Sequence, residues 1–542
     1  MIITPTFECA GITNAPTSNF QFREVGGIWH EGHPLYKDGT DYRGSIFWLK
    51  PNTEYEVKCG SETQTFKTRN DNPPSTTRKT LTSGQTITES GTPDNFVTYS
   101  ASSTLTKGVI IKASYIIIYG IEIVSANTGI LVSGENMATP PHDVFINGCV
   151  IDSTSTANND SCIRIDYGAN KITVQDCHLI TNCPTNLEDK NGIYHWKAGG
   201  ELVFRHNYID GTPWDGIGGG QEDVNTTLNN CDIYENEIKE AWDDAIQCEG
   251  GGVNTRVWGN KTKSSMLGVT TAPCLKGPAY LLFNEVCADK MKRGEGNNGL
   301  FAHGDDSTGR VYIYNNSYWG MPGSNGVYAK NYGVFNQVSR NNIISAGWYV
   351  IEFGHDPDGT DCDYDYDLLY TTDAGRFVKW GPNAVPDWSA QELHSVKDNP
   401  IFVDGPHGDF TLQSNSPAIG KGVIIPNIND DTAPLKYQGN NIGAWQIQED
   451  EDMKTMSGQV SSQAVTGESV TITITPPSGS NVVLTATTNA SKGYSTTYDA
   501  INAGTYSVVS SIPEDTEYSA ATSPVVTFTV GKTPRTITLS VS

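Results

Sequence analysis

A repeat of short β-rich runs in the middle of the chain limits the possible folds more than any other feature of the sequence. Each run ends in a polar or small residue three positions after an apolar anchor. These end residues are Gly120, Cys149, Cys177, Asn207, Asn236, Asn260, Asn284, Asn316 and Asn341. Their spacing of 24 to 32 residues, without helical periodicity, is typical of one coil of a parallel β-helix. We therefore predict that the Asn side chains stack in one column and hydrogen-bond from coil to coil.

A second strand recurs in phase with the first. Its apolar anchors should point into the core, and they are Ile163, Ile193, Ile217, Ile246, Val269, Leu300, Val327 and Ile351. The residues that alternate with these anchors should face outwards. This predicted outer stripe comprises Arg164, Asp166, Tyr194, Trp196, Gly218, Gly220, Gln247, Glu249, Thr270, Ala272, Phe301, His303, Tyr328, Lys330 and Glu352. Exposed rings interleaved with charged and amide groups favour polysaccharide binding, whereas rings covered by loops would form a satellite core.

Both ends of the chain differ from the repeat. Residues 1–72 alternate like strands, and Leu49, Pro51, Thr53, Tyr55 and Val57 resemble the turn and following strand of a fibronectin-type sandwich. The repeat closes at 398–444 in a segment that resembles the end of many secreted β-helix proteins. We therefore expect an all-β chain with a right-handed parallel β-helix at 73–448, an acidic linker at 449–456 and an immunoglobulin-like sandwich at 457–542.

The charge of the chain limits its partners. The formal net charge is -25, which argues against a nucleic acid and against an anionic membrane surface. No apolar run approaches the roughly 18 residues that a membrane span needs. We expect an extracellular protein that binds a polysaccharide, either after removal of a signal peptide or as part of a virion, and we expect no organic cofactor.

Acidic residues concentrate where the second strand begins. The sequence WDGI at 214–217 is followed one coil later by WDDAI at 242–246. These motifs resemble the two aspartate motifs of polygalacturonase-like glycoside hydrolases. The resemblance implies that Asp215, Asp243 and Asp244 protonate the glycosidic oxygen and activate a water molecule, with inversion. It is incomplete, because the His and Arg–Lys motifs of that family are missing at the expected coils. Glu249 and His303, which strand phase directs outwards, are further catalytic candidates.

Two other functions stay open at this point. A polysaccharide lyase or epimerase acting on a uronate polymer would use a basic residue and a cation. Its candidate residues are Arg164, Lys276, Lys290, Lys292, Arg293, His303 and Lys330. A non-catalytic glycan-binding or phage tail protein would explain the incomplete motif. The paired aspartates would then cap backbone N–H groups at turns.

The densest acidic run surrounds Gly359. There Asp356, Asp358 and Asp361 resemble a calcium loop, because hard cations take several carboxylate oxygens and glycine lets the loop turn. No glutamate follows at the distance expected for a bidentate ligand. The sequence thus predicts a structural Ca²⁺ site, with a solvated acidic loop as the alternative.

Overall fold

A computed structural model of the chain shows an almost entirely β-stranded protein. It describes residues 1–125, 127–181, 187, 189–219, 228–271, 273–290, 299–303, 307–329, 335–354, 361–373, 376–380, 383–385 and 391–444, followed by 453–459, 469–476, 481–488, 493–499, 504–513, 520–523 and 525–530. Residues 1–447 form one compact unit and residues 448–542 form a second.

Three sheets built of parallel strands form the body of the first unit. Sheet 1 contains Glu122–Ser125, Val150–Ser153, His178–Ile180, Tyr208–Asp210, Glu237–Lys239, Lys261–Lys263, Glu285–Ala288, Ser317–Pro322, Ile343–Gly347 and Leu368–Thr371. Sheet 2 contains Thr86–Ile87, Val109–Ile111, Ile130–Ser133, Ile163–Asp166, Ile193–Trp196, Ile217–Gly219, Asp244–Gln247, Leu267–Thr271, Gly299–His303, Val327–Ala329, Ile351–Phe353, Val378–Trp380 and an antiparallel last strand, Asn383–Val385. Sheet 3 contains Thr77–Thr80, Val97–Ser100, Ile116–Tyr119, His142–Asn147, Asn170–Gln175, Val203–Arg205, Asp232–Tyr234, Thr255–Trp258, Ala279–Leu282, Val311–Tyr314, Gln337–Arg340 and Asp363–Asp365.

Each coil passes through sheets 1, 2 and 3 in that order, and the coils stack into a solenoid of about nine turns. Inward-facing Ile, Val and Leu side chains from the three sheets form one continuous core, as the alternation along each strand requires. This parallel β-helix, together with antiparallel sheets in the N- and C-terminal parts of the chain, confirms the fold class predicted from the sequence.

The predicted Asn column is confirmed between Asn207 and Asn316. Each Asn Nδ2 donates to the Oδ1 of the Asn one coil later, at distances of 2.8–3.0 Å. Each Oδ1 also accepts the backbone N–H of the preceding member, so buried amides are satisfied along the column.

At both ends of the predicted column, the predicted residue lies one position before the actual column member. The column continues through Asn342 and then Asp367, whereas Asn341 precedes it with a left-handed backbone (φ 60°). Gly120 likewise takes the left-handed position (φ 60°). The turn between sheets 3 and 1 holds a left-handed residue directly before the column, and glycine and asparagine both suit that conformation.

The N-terminal residues form two antiparallel sheets that pack on sheet 3. One contains Ile2–Pro5, Ala10–Ala15, Tyr36–Asp38 and Asp41–Ile46, and the other contains Phe20–Glu24, His30–Glu31, Glu54–Cys59 and Glu62–Lys67. Tyr55 and Val57 are buried on one face of their strand, as the sequence predicts. Phe47 packs edge-on against Tyr280 of sheet 3 with ring centroids 5.0 Å apart.

The segment after residue 398 packs back on the solenoid. It contains the hairpin Phe402–Asp404 and Asp409–Leu412 and the 3₁₀ turns Gly405–His407 and Leu435–Tyr437. Leu412, Ala418 and Ile442 pack against Ile343 and Leu368 of sheet 1. The second unit is antiparallel and contains Met453–Gln459, Ser469–Thr475, Val482–Thr487, Gly493–Asp499, Gly504–Ile512, Ala521–Thr522 and Val526–Val530.

Candidate functional site

The number of residues per coil varies because the connections before and after sheet 2 differ in length from coil to coil. Between sheet 3 and sheet 1 the turn has two residues in successive coils, for example from Arg205 to Tyr208 and from Tyr234 to Glu237. Between sheets 1 and 2 the length of the connection ranges from three residues, at 264–266, to twelve residues, at 181–192. Variable connections on a rigid scaffold are where binding and catalytic groups concentrate, so sheet 2 is the face on which to look for a site.

A second polar column lies at the turn that leads into sheet 2. The backbone N–H of Asn191 donates to Ser161 Oγ at 3.1 Å, and that of Asp215 donates to Asn191 Oδ1 at 2.9 Å. The backbone N–H of Asp244 then donates to Asp215 Oδ1 at 3.1 Å. Asp215 therefore has the turn-capping role that the sequence left open, and its hydrogen bond from Asp244 N–H fixes the position of its carboxyl group.

The other carboxyl oxygen of Asp215 lies over sheet 2. A Cβ placed on Gly218 would be only 2.3 Å from Asp215 Oδ2, so the glycine leaves room for the carboxyl group. Gly218 belongs to the predicted outer stripe and pairs in register with Tyr194. Among the described residues, Oδ2 has no hydrogen-bond partner, and the Asp215 side chain has no exposed surface. The direction of the Asp215 side chain could not be predicted from the sequence, because the alternation of side chains along a strand does not apply to a residue in a turn.

The electrostatic surroundings of Asp215 favour its protonated form. Burial raises the pKa of this carboxyl group well above its ordinary value, and the neighbouring charges of Asp244, Asp243 and Glu249 raise it further. Asp244 is buried, whereas Asp243 and Glu249 are half-buried. The structure therefore brings together all four of the carboxylates that the sequence singled out, and we call them the acid cluster.

Gln247 links two successive strands of sheet 2 through its side chain. It lies in the outer stripe beside Thr270, and its Oε1 accepts the backbone N–H of Gly219 at 3.0 Å. Gln247 remains half-buried, whereas Thr270 is buried.

An aromatic and basic cluster occupies the two coils before the acid cluster. Arg164 Nε donates to Asp166 Oδ2 at 3.0 Å, and the guanidinium lies 5.1 Å from the ring centroid of Tyr194 and 6.0 Å from that of Trp196. Trp196 is half-buried, whereas Tyr194 is buried and its hydroxyl donates to Asp189 at 3.3 Å. Trp196 thus keeps an accessible surface, while Tyr194 supports Arg164 from below.

Phe301 was assigned to the wrong face. It pairs in register with Val269 and Val327 and lies in the solenoid core with no exposed surface. Leu300 and Phe301 are adjacent apolar residues, so alternation alone could not tell which one is the anchor. In this coil the backbone of Ala302, not of Phe301, pairs in register with Thr270 and Tyr328.

Glu352 lies in the outer stripe but is buried in an ion pair. Its carboxylate accepts from Lys379 Nζ at 2.7 Å and from Asn325 Nδ2 at 2.9 Å. Sequence reasoning missed both partners. Lys379 pairs in register with Glu352. Asn325 lies two residues before the anchor Val327, just as Asn191 and Asp215 lie two residues before the anchors Ile193 and Ile217. That constant offset is the signal that could have found Asn191 and Asn325.

Several predicted residues lie outside the described part of the chain. These are Gly220, Ala272, Lys330, Asp356 and Asp358, together with Lys292 and Arg293 and the side chains of His303 and Tyr328. Asp361 is described and is exposed, with a left-handed backbone. Among the described residues, no group of three or more His, Cys, Asp or Glu could hold a metal ion. The calcium loop therefore stays a prediction.

No protein-family model matches this chain, and a search of curated proteins finds no match either. In the described residues, no helix has the length and apolar character needed to cross a membrane.

Proposed function

We propose that this chain is an extracellular polysaccharide-cleaving enzyme, with a glycoside hydrolase centre at the acid cluster on sheet 2. One observation carries the proposal. The Asp215 carboxyl group is held over the face of the sheet by Asp244 N–H, is given room by Gly218, and has its pKa raised by burial and by three nearby carboxylates. A protonated carboxyl group beside ionised ones is what acid–base cleavage of a glycosidic bond requires.

The geometry suggests a role for each oxygen of Asp215. Oδ1 accepts the Asp244 N–H and is therefore occupied. Oδ2, which has no partner among the described residues, would carry the proton and donate it to the glycosidic oxygen. Because Asp215 is fully buried, the residues that cover Oδ2 must move aside when the substrate binds.

The base would be one of the less buried carboxylates. Asp243 and Glu249 are both half-buried, whereas Asp215 has no exposed surface, so either is more accessible to solvent. In an inverting reaction this group takes a proton from the water molecule that attacks the sugar from the face opposite the leaving group. Trp196 and Gln247 would bind sugar units on either side of the bond that is cleaved.

The other two functions have different support. A lyase needs a base whose lone pair is available, yet Arg164 and Lys379 on sheet 2 are paired with Asp166 and Glu352. A non-catalytic glycan-binding protein is favoured by one observation, namely that Asp215 caps the Asp244 N–H in a column with Ser161 and Asn191. Activity measurements separate these functions.

The test is product analysis on a panel of neutral and uronate polysaccharides. Hydrolysis creates new reducing ends alone, whereas elimination also creates an unsaturated uronate that absorbs ultraviolet light. Asp215→Asn should lower the hydrolysis rate by a factor on the order of 10³ or more, because the acid is lost. The fold should be retained, because an amide oxygen can still accept the Asp244 N–H, as Asn191 does for Asp215 one coil earlier.

Asp210→Asn is the matched control, because Asp210 lies in the same coil on sheet 1. It should leave the rate unchanged. Full activity of both Asp215→Asn and Asp244→Asn would contradict a centre at the acid cluster. A panel on which the wild-type chain binds but cleaves nothing would favour the glycan-binding alternative.

A further inference from the structure

Two aromatic side chains flank a serine on the outer face of sheet 1. Trp319, Ser345 and Tyr370 pair in register on three successive strands, so they form one column with Ser345 in the middle. Adjacent strands are about 4.8 Å apart, so the two aromatic residues are separated by roughly 10 Å along the solenoid. A small residue between two large ones leaves a slot whose floor is Ser345. Trp319 and Tyr370 are half-buried, so part of each ring remains accessible.

The C-terminal segment converts this slot into a cavity. The stretch from Asn399 to Gln413 lies over the column and encloses a space of about 490 Å³ with it. Gly405 packs against the indole of Trp319, because a Cβ there would lie 2.9 Å from Cδ1. The hairpin is held in turn by Gln413, whose Nε2 donates to the Phe402 carbonyl at 3.0 Å. The walls of the cavity are therefore fixed by the fold.

The chemistry of the cavity is neutral and polar. None of its lining residues is charged, although the chain as a whole carries 97 charged side chains, 36 basic and 61 acidic. Hydrogen-bonding groups come from Ser345, Thr372 and Tyr370, and the indole N–H of Trp319 adds a donor. Thr372 is exposed, and Trp319 and Tyr370 are half-buried. These groups are available to a ligand.

We propose that this cavity binds one or two units of a neutral saccharide, at a site separate from the acid cluster. A sugar ring presents apolar C–H faces to aromatic side chains and hydroxyl groups to neutral donors and acceptors around its edge. The cavity offers both kinds of group and lies within the size range of small-molecule sites. A uronate or a phosphate would be buried there without a countercharge, which is costly. The site thus favours uncharged sugars.

Calorimetric titration of the full chain with neutral hexasaccharides tests the proposal. The probes are linear oligomers of glucose in α and β linkage, mannose, xylose and galactose, with hexagalacturonate as the charged comparison. At least one neutral probe should bind, and Trp319→Ala should weaken its binding by about tenfold or more. Trp319→Phe should restore most of the affinity, because a ring remains. Melting temperatures of both variants show whether the fold is intact.

Two further variants make the outcome decisive. Trp29→Ala removes a half-buried tryptophan of the N-terminal sheets, where its ring lies under Arg23, and it should leave the affinity unchanged. Asp215→Asn should still bind the probe, because the cavity on sheet 1 does not include the acid cluster on sheet 2. Binding that is lost in Asp215→Asn but kept in Trp319→Ala would overturn the proposal while supporting the acid cluster. Tighter binding of hexagalacturonate, or no binding of any neutral probe, would overturn it as well.

Discussion

Two carboxyl groups meet in the protein interior at the last members of the Asn column. Asp367 Oδ1 accepts the backbone N–H of Asn342 at 2.6 Å and its Nδ2 at 3.0 Å. The Asp367 N–H in turn donates to Glu392 Oε2 at 3.4 Å. Burial raises the pKa of both carboxyl groups, and the charge of Asp367 raises that of Glu392 further. The folded chain therefore favours their neutral forms.

This pair should make stability fall with rising pH. Because the folded-state pKa values lie above those of the unfolded chain, its stabilising contribution is complete at low pH and is lost as the pH rises through the raised values. Glu392→Gln cannot ionise, so it should raise the free energy of unfolding at about pH 8 by about 1 kcal/mol or more, with a smaller effect at about pH 4. Thermal melts across this range measure it. Glu54→Gln, at an exposed glutamate, should follow the wild type. If the stability of Glu392→Gln fell with rising pH as much as that of the wild type, Glu392 would not be the residue responsible for the pH dependence.

The residues of the site show where sequence reasoning stops. Trp196 and Gln247 were placed correctly, because a single apolar anchor fixed the phase of each strand. Phe301 was not, because two apolar neighbours make the phase ambiguous until the register with Val269 is known. Trp319 was overlooked, although it stands three residues after Asn316, as Ser345 does after Asn342. Counting from the Asn column would have found that alignment.

At the scale of single elements, the turn between sheets 3 and 1 is the most repetitive part of the solenoid. Each turn combines a residue in the left-handed region with a column member, and the pair returns once per coil. The period and the amide column could be predicted, because only a side chain that both donates and accepts can continue the column. Asp367 lacks a donor when ionised, and it stands beyond the last Asn, where accepting is sufficient.

Asn260 lies in the middle of the column, and its replacement should destabilise the solenoid. Its Oδ1 accepts from Asn236 N and Nδ2, and its Nδ2 donates to the Ile233 carbonyl at 2.9 Å and to Asn284 Oδ1. Asn260→Ala leaves these buried groups without their partner, at about 1–3 kcal/mol each, so we expect a loss of roughly 3–5 kcal/mol. Chemical denaturation measures the loss.

Asn260→Asp refines that test. A carboxylate still accepts but cannot donate, so this variant should be destabilised at neutral pH more than at low pH, where a protonated carboxyl regains a donor. Asn72→Ala, at an exposed asparagine, should change stability by less than about 0.5 kcal/mol. Equal stability of Asn260→Ala and the wild type would show that the column carries no net energy.

For the whole molecule, the repeat predicted the β-helix and the alternation in the terminal segments predicted antiparallel sheets there, but neither could predict how the N-terminal sheets are attached. Arg256 of sheet 3 is fully buried, forms an ion pair with Asp232 at 2.5 Å and donates to Ser45 Oγ at 3.2 Å. Phe47 N–H donates to Asn427 Oδ1 at 2.9 Å, which ties in the C-terminal segment of the solenoid. The hydrogen bonds to Ser45 and Asn427 join residues 211 and 380 positions apart, a distance over which sequence periodicity carries no information.

Because of these contacts, the N-terminal sheets and the solenoid should lose structure together. Val57→Ala opens a cavity in the N-terminal core, far from the solenoid strands, and should cost about 2 kcal/mol. Hydrogen exchange in mild denaturant should then accelerate in Glu54–Cys59 and also in the sheet 3 strands Thr255–Trp258 and Ala279–Leu282. The reason is that Arg256, Trp258 and Tyr280 are buried beneath the N-terminal sheets and would be exposed to water if those sheets unfolded. Ile2→Ala, at an exposed position of the first strand, should change neither region. Acceleration confined to residues 1–72 would show that the N-terminal sheets unfold as a separate module.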